Sequence, residues 1–140
     1  MITVYQELMR TRIAPWFREA GFRGSGGKFV LPSESHWALL GFQKSVHNDR
    51  DEVRFTVNLL CVSKQQWASL HAAEPFLGER PSATVYYGRE VPRARIGELT
   101  PSGEDKWWRL RSGRSVEPIV ADLLHDLAEH AIPWLRSAQR

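Results

Sequence analysis

Cysteine is all but missing: Cys61 is the only one in 140 residues. An intramolecular disulfide and an all-cysteine metal site are therefore excluded, and a reducing compartment, the cytoplasm, is expected. No run reaches the roughly 20 apolar residues that a membrane-crossing helix needs, since the stretch Leu123 to Leu135 is broken by Asp126, Glu129, His130 and Pro133. The opening residues, Met1 to Arg12, carry Glu7, Arg10 and Arg12 in place of the apolar segment of an export signal. A soluble protein with no membrane contact is expected. Lysine is scarce too, with only Lys28, Lys44, Lys64 and Lys106, so the formal charge of +3 rests on arginine. The planar guanidinium fork suits carboxylate or phosphate, yet acidic residues are interspersed throughout, which describes a mixed solvated surface. Internal repeats and low-complexity tracts are absent.

What remains is an ordinary globular composition, with 42% hydrophobic and 25% charged residues, and a length that suits one domain, residues 1–140, with one core. The most informative pattern is a β-hairpin. Residues 36–45 and 52–62 read as two strands joined by the charged tip His47-Asn48-Asp49-Arg50-Asp51. In the second of these, Val53, Phe55, Val57, Leu59 and Cys61 alternate against Arg54, Thr56, Asn58 and Leu60, the period of a half-buried antiparallel strand. The odd-numbered face is assigned to the core. The first strand has aromatic residues on both faces, which leaves its orientation open. A short strand from Lys28 to Leu31 precedes the hairpin.

Thr3 is expected to cap a first helix running to about Ala20, with Val4, Leu8, Ile13, Phe17 and Ala20 inward and Gly21 as its stop. Pro15 removes a backbone donor, so a kink there, or a second helix with Pro15 in its first turn, is expected. Ser63 caps a short helix to Ala72 with Trp67 and Leu70 inward. Prolines and glycines then punctuate residues 74–101, predicting a long irregular segment with Thr84 to Tyr87 extended. Asp105 to Arg111 reads as an edge strand or short helix. A last helix runs from Ser115 to about Ala131, with Ile119, Leu123, Leu127 and Ala131 inward, Asp122, Asp126 and Glu129 outward, and Pro133 as its end. Together these elements define an α+β domain, an antiparallel sheet of three or four strands packed against the N- and C-terminal helices.

Gly21-Phe22 before Lys28-Phe29, then Phe42-Gln43, Phe55-Thr56-Val57-Asn58-Leu59, Arg95-Ile96-Gly97 with Leu99, Asp105 with Trp107-Trp108, and Ile132-Pro133-Trp134-Leu135 form a series in which no piece is specific alone. As a series, from about Ile13 to Leu135, it resembles the bacterial family catalogued as domain of unknown function 4304. The resemblance implies a single α+β domain and brings no catalytic residue, activity or cofactor with it.

The residues themselves offer few sites. Arg95 and Asp105 flank a turn-rich stretch, where an arginine–carboxylate fork would staple the loop and hold Trp107 and Trp108 to the core; Arg95 as an anion clamp is the functional alternative. Arg54, Thr56 and Asn58, joined by Gln43 across the hairpin, line up on the polar face of the sheet and can recognise a peptide or small polar ligand, unless Asn58 serves the loop backbone instead. Asp122 with His125, and Asp126 with His130, share helical faces, but a carboxylate-bridged metal site repeats its motif on a second helix, which has no counterpart here. No metal or cofactor is expected. Cys61 lies on the buried face as an inert thiol, no serine stands in a nucleophile-elbow context, and Gly24 to Gly27 lacks the lysine and hydroxyl of a phosphate loop. A catalytic constellation is therefore not found. The expectation is a non-catalytic binding module, using the polar face and residues 86–108 to hold a protein or peptide. An immunity-type protein is its narrower form. The alternatives are an anionic small-ligand binder, an enzyme of unknown class, or a single-strand nucleic-acid binder in which Trp108 stacks on bases.

Overall fold

A computed structural model describes residues 1–140. Its organising element is β4 (Glu52–Ser63), a strand of 12 residues. On one side β4 pairs antiparallel with the whole length of β3 (His36–Lys44) through Phe55 to Ser63; on the other it pairs with β6 (Trp108–Arg111) near its start and with β5 (Arg93–Arg95) further on. Beyond β3 lie β2 (Lys28–Leu31) and β1 (Arg23–Ser25), giving the order β1-β2-β3-β4-β5 with β6 as a second partner of β4. The α+β architecture is as the sequence indicates. The sheet has six strands rather than three or four, because the glycine turn at residues 26–27 lets β1 fold back on β2 and because β5 and β6 share one long partner.

Val53, Phe55, Val57, Leu59 and Cys61 are each at most 1% exposed. The register Phe42↔Val57, Leu40↔Leu59, Ala38↔Cys61 settles the orientation of β3, with its even-numbered residues on that same core face. Both terminal helical segments cover it. Each is a pair of short helices joined by a π turn: α1 (Ile2–Leu8), a turn at Met9–Ile13 and α2 (Ala14–Glu19); then α5 (Glu117–Asp126), a turn at Leu127–Ala131 and α6 (Ile132–Ser137). The two share a cause. Pro15 and Pro133 lack an N–H, and each ring would collide with a carbonyl one turn back; a widened turn absorbs the defect and the helix resumes with proline in its first turn. Pro133 therefore does not end the last helix. Leu135 beyond it is fully buried, Val4 at the other terminus is 40% exposed, and Asp126, expected outward, is 4% exposed.

The opposite face of the sheet is covered as well. Ser63 Oγ accepts from the Gln66 N–H at 3.0 Å and starts α3 (Lys64–Ala73), which brings Trp67 onto Leu60, Val62, Ala83 and Val91 as a second apolar cluster. Trp67 Nε1 donates to the carbonyls of Gly78 and Glu79, at 3.3 and 3.1 Å, and so ties down the irregular segment that follows. That segment is shorter than the sequence implies. Thr84 to Tyr87 forms no strand, being a turn and bend at Thr84 and Val85 followed by irregular chain, and order resumes at β5 and the one-turn helix α4 (Ile96–Leu99). No helix is long and apolar enough to cross a membrane.

Candidate functional site

The polar row on β4 does not face solvent. Thr56 and Asn58 are fully buried; Thr56 Oγ1 donates to the Lys106 carbonyl at 2.6 Å. Asn58 sits at the centre of a side-chain ladder: its Nδ2 donates to Gln43 Oε1 at 2.8 Å, while its Oδ1 accepts from Arg93 Nη2 at 2.8 Å and Arg95 Nε at 3.3 Å. The free recognition surface expected there is thus occupied by guanidinium groups that β5 delivers. Burial, joined by the charge of Arg95, lowers the Arg93 pKa from its ordinary value.

Outward from this ladder, the Arg95–Asp105 staple forms as the sequence predicts. Arg95 Nη1 donates to Asp105 Oδ2 at 3.2 Å, Trp107 Nε1 donates to the same oxygen at 2.9 Å, and the guanidinium lies over the Trp107 ring at 5.4 Å. Arg54 stands apart. It pairs with Glu52, which also accepts from Arg111 at 3.2 Å, and the hydrogen bond from Arg54 holds the Glu52 carboxyl below its usual range. Trp108 is 3% exposed and stacked on Phe55 at 5.8 Å, so it is a core residue and presents no ring to a base.

Two cavities offer more to a ligand. The first, about 540 Å³, opens between β1–β3 and the segment from Arg80 to Thr84. The strand register sets Arg23, Val30 and Leu39 in one row and Lys28 beside Gly41 in the next. Arg23, Lys28 and Arg80 line this cleft with the hydroxyl residues Ser82 and Thr84, and no carboxylate does. Arg80 also lies over the Trp37 ring at 4.8 Å, with Lys64 over the same ring at 4.7 Å. Sequence reading misses the cleft because its cations come from β1, β2 and a loop, with no spacing that links them; the nearest signal is the alternation Lys28, Val30 on a short strand.

The second cavity, about 630 Å³, lies between α5 and the segment from Thr100 to Lys106. Lys106 Nζ spans Asp122 Oδ2 at 2.8 Å and Asp126 Oδ2 at 2.6 Å, and Trp108 Nε1 donates to Asp122 at 2.8 Å. Burial opposes ionisation of Asp122, but the hydrogen bonds from Lys106 and Trp108 outweigh it and lower its pKa. For Lys106 burial likewise pulls down, and the two aspartates win, raising its pKa. His125 and His130 border the same cavity, with one ligand atom from each of His125, Asp126 and His130 within 4.8 Å of the others.

A six-stranded antiparallel sheet with helices from both termini on one face defines the class, an α+β domain. The chain belongs to the family described as domain of unknown function (DUF4304), whose model matches residues 13–137. No curated protein and no solved structure matches it.

Proposed function

We propose that this protein is a non-catalytic binding module of the bacterial cytoplasm, which holds an acidic, extended segment of a protein partner in the cleft between β1–β3 and residues 80–84. The observation that carries the reading is the lining of that cleft: Arg23, Lys28 and Arg80 with no carboxylate among them. Unpaired cations around a concave site with half-buried Val30 and Leu39 in its lining suit a ligand with carboxylates at its edges and carbon between them. Arginine forks give such contacts direction, and the positive rim speeds encounter. The Asn58 ladder contributes rigidity, since it locks β5 to β3 behind the cleft. An immunity-type role is the narrower form, in which the acidic segment belongs to a toxin encoded next door.

The test uses fluorescently labelled glutamate-rich peptides and anisotropy. Binding should weaken steeply with added salt and fall about tenfold or more on replacing Arg23 and Lys28 together by glutamate, since two charge reversals exceed the 1.4 kcal/mol that a decade represents. Both side chains are exposed, so the fold should survive the change. If no acidic peptide binds, and a broad activity screen finds turnover, the protein is an enzyme and this reading is wrong.

A further inference from the structure

We infer that His125, Asp126 and His130 bind a divalent transition-metal ion of the zinc class at the end of α5. The inference is independent of the basic cleft, which lies on other elements.

The first support is helical geometry. In a regular α-helix, residues five apart point about 140° away from each other, at 100° per residue. The π turn at Leu127–Ala131 has the wider i→i+5 repeat, which brings position 130 back toward position 125. The two imidazole rings accordingly stand 6.2 Å apart between centroids, at 85° to one another. The turn is there because of Pro133. A proline whose sequence reading is only a helix stop thus creates a histidine pair that a straight helix would hold apart.

The second support is the donor set. Asp126 is 4% exposed, with Oδ2 held by Lys106 and Oδ1 directed toward His130 Nε2 at 4.0 Å. That separation is too long for a hydrogen bond; an ion with bonds of about 2.0–2.2 Å to nitrogen and oxygen at a tetrahedral angle would draw the two atoms to about 3.4 Å, a closure of about 0.6 Å. His125 is exposed, so its ring is free to swing in as the third ligand and close the present 4.8 Å spread. Two imidazoles and one carboxylate are donors of borderline softness, which suits zinc and its neighbours over magnesium or calcium. Water would complete the shell.

The third support is charge. Glu104, Asp105, Asp122, Asp126 and Glu129 line this cavity against the single ammonium of Lys106, in a chain whose formal charge is +3. The cavity is therefore an acidic island on a basic protein and concentrates cations. Lys106 orients the Asp126 carboxylate and opposes the incoming ion, which makes the affinity moderate.

Chelator-treated full-length protein would be titrated with zinc chloride by calorimetry, and with cobalt(II) chloride followed by visible absorption. The expected result is one equivalent bound, a low-coordinate cobalt spectrum, and a loss of about tenfold or more in affinity in both His125→Ala and His130→Ala, with His71→Ala, on α3, unchanged. Circular dichroism of the variants verifies the fold, and His125→Ala, at an exposed position, keeps the experiment decisive should His130→Ala unfold. Absence of saturable binding to the wild type, or undiminished affinity in both histidine variants, overturns the assignment.

Discussion

Arg93 donates through Nη2 to Oδ1 of Asn58 at 2.8 Å across 35 residues of sequence, and the amide it reaches is sealed from solvent. Asn58 is thereby a three-way tie, with Gln43 on β3 as acceptor and Arg93 and Arg95 on β5 as donors. Asn58→Ala strips a partner from all three at once. Leaving one side of a buried hydrogen bond unmade costs about 1–3 kcal/mol, and the loss here should fall in the upper part of that range, read from urea unfolding at constant slope. Asn58→Asp keeps the oxygen and gives two arginines a counter-charge, so it should lose less. Equal losses in the two variants would contradict the ladder.

Gly97 is required for room. A β-carbon there would lie 2.2 Å from the Glu104 carbonyl oxygen and 2.6 Å from the Lys106 nitrogen, and backbone has no rotamer by which to retreat. Gly97→Ala should push residues 104–106 away from α4, loosening the anchors that Asp105 gives Trp107 and Lys106 gives Asp126. A destabilisation of about 1–3 kcal/mol, the usual range for overpacking, should accompany a change in tryptophan fluorescence. Unaltered stability would mean that the two segments do not approach this closely.

The main core was legible because alternation in a strand is a direct record of burial: Val53 to Cys61 could not be placed otherwise without exposing five apolar side chains. The Ser63 cap and the effect of Pro15 were legible for equally local reasons. Thr56 and Asn58 were misread because polarity forecasts exposure only when no partner is near, and their partners, Lys106, Arg93 and Arg95, arrive from 35 to 50 residues away. Nothing in Arg93-Ala94-Arg95 announces a strand; pairing with Leu60, Leu59 and Asn58 makes it one. Asp126 is buried although charged because it lies three residues after buried Leu123 on the same side of α5, and its partner there, Lys106, comes from 20 residues away. Of the expected site residues, Gln43, Asn58, Arg95 and Asp105 do converge, as a ladder within the fold, whereas Arg54 and Trp108 belong to an ion pair and to the core.

Trp67 should control the order of residues 74–92. It is 1% exposed, packs edge-on against Tyr87 at 4.8 Å, and holds the Gly78 and Glu79 carbonyls with its indole N–H. Trp67→Ala removes a large buried ring and should cost about 3–5 kcal/mol; Trp67→Phe, which retains most of the packing, should lose mainly the hydrogen bonds, at about 1–3 kcal/mol. Trypsin reports the local effect at Arg89, which is exposed within the segment; the Arg80 bond, followed by Pro81, resists the protease. Both variants should be cut there faster than the wild type under conditions in which the core strands stay intact. Cleavage at the wild-type rate would show that the segment is held by something other than this indole.

Cys61 and Tyr5 should make the fold sensitive to alkali. Burial raises the Cys61 thiol from 9.0 to about 11 and the Tyr5 phenol from 10.0 to about 12. Both groups are neutral in the folded state over a range in which the unfolded chain has already ionised. Their contribution is therefore complete below pH 9 and is lost as pH rises through 9 to 11 for the thiol and 10 to 12 for the phenol, with each two-unit shift amounting to about 2–3 kcal/mol. Stability measured in urea should be level at neutral pH and fall above pH 9, and Cys61→Ala, whatever its constant cavity cost, should fall less steeply over the first part of that range. Thiol modification gives an independent reading. With 1% of the residue exposed and almost no thiolate at neutral pH, native protein should react with an aromatic disulfide reagent only as fast as it opens, and addition of urea should accelerate labelling in step with unfolding. A native thiol that reacts as quickly as the denatured chain would place Cys61 outside the core, and with it the register that sets the odd-numbered face of β4 against the terminal helices.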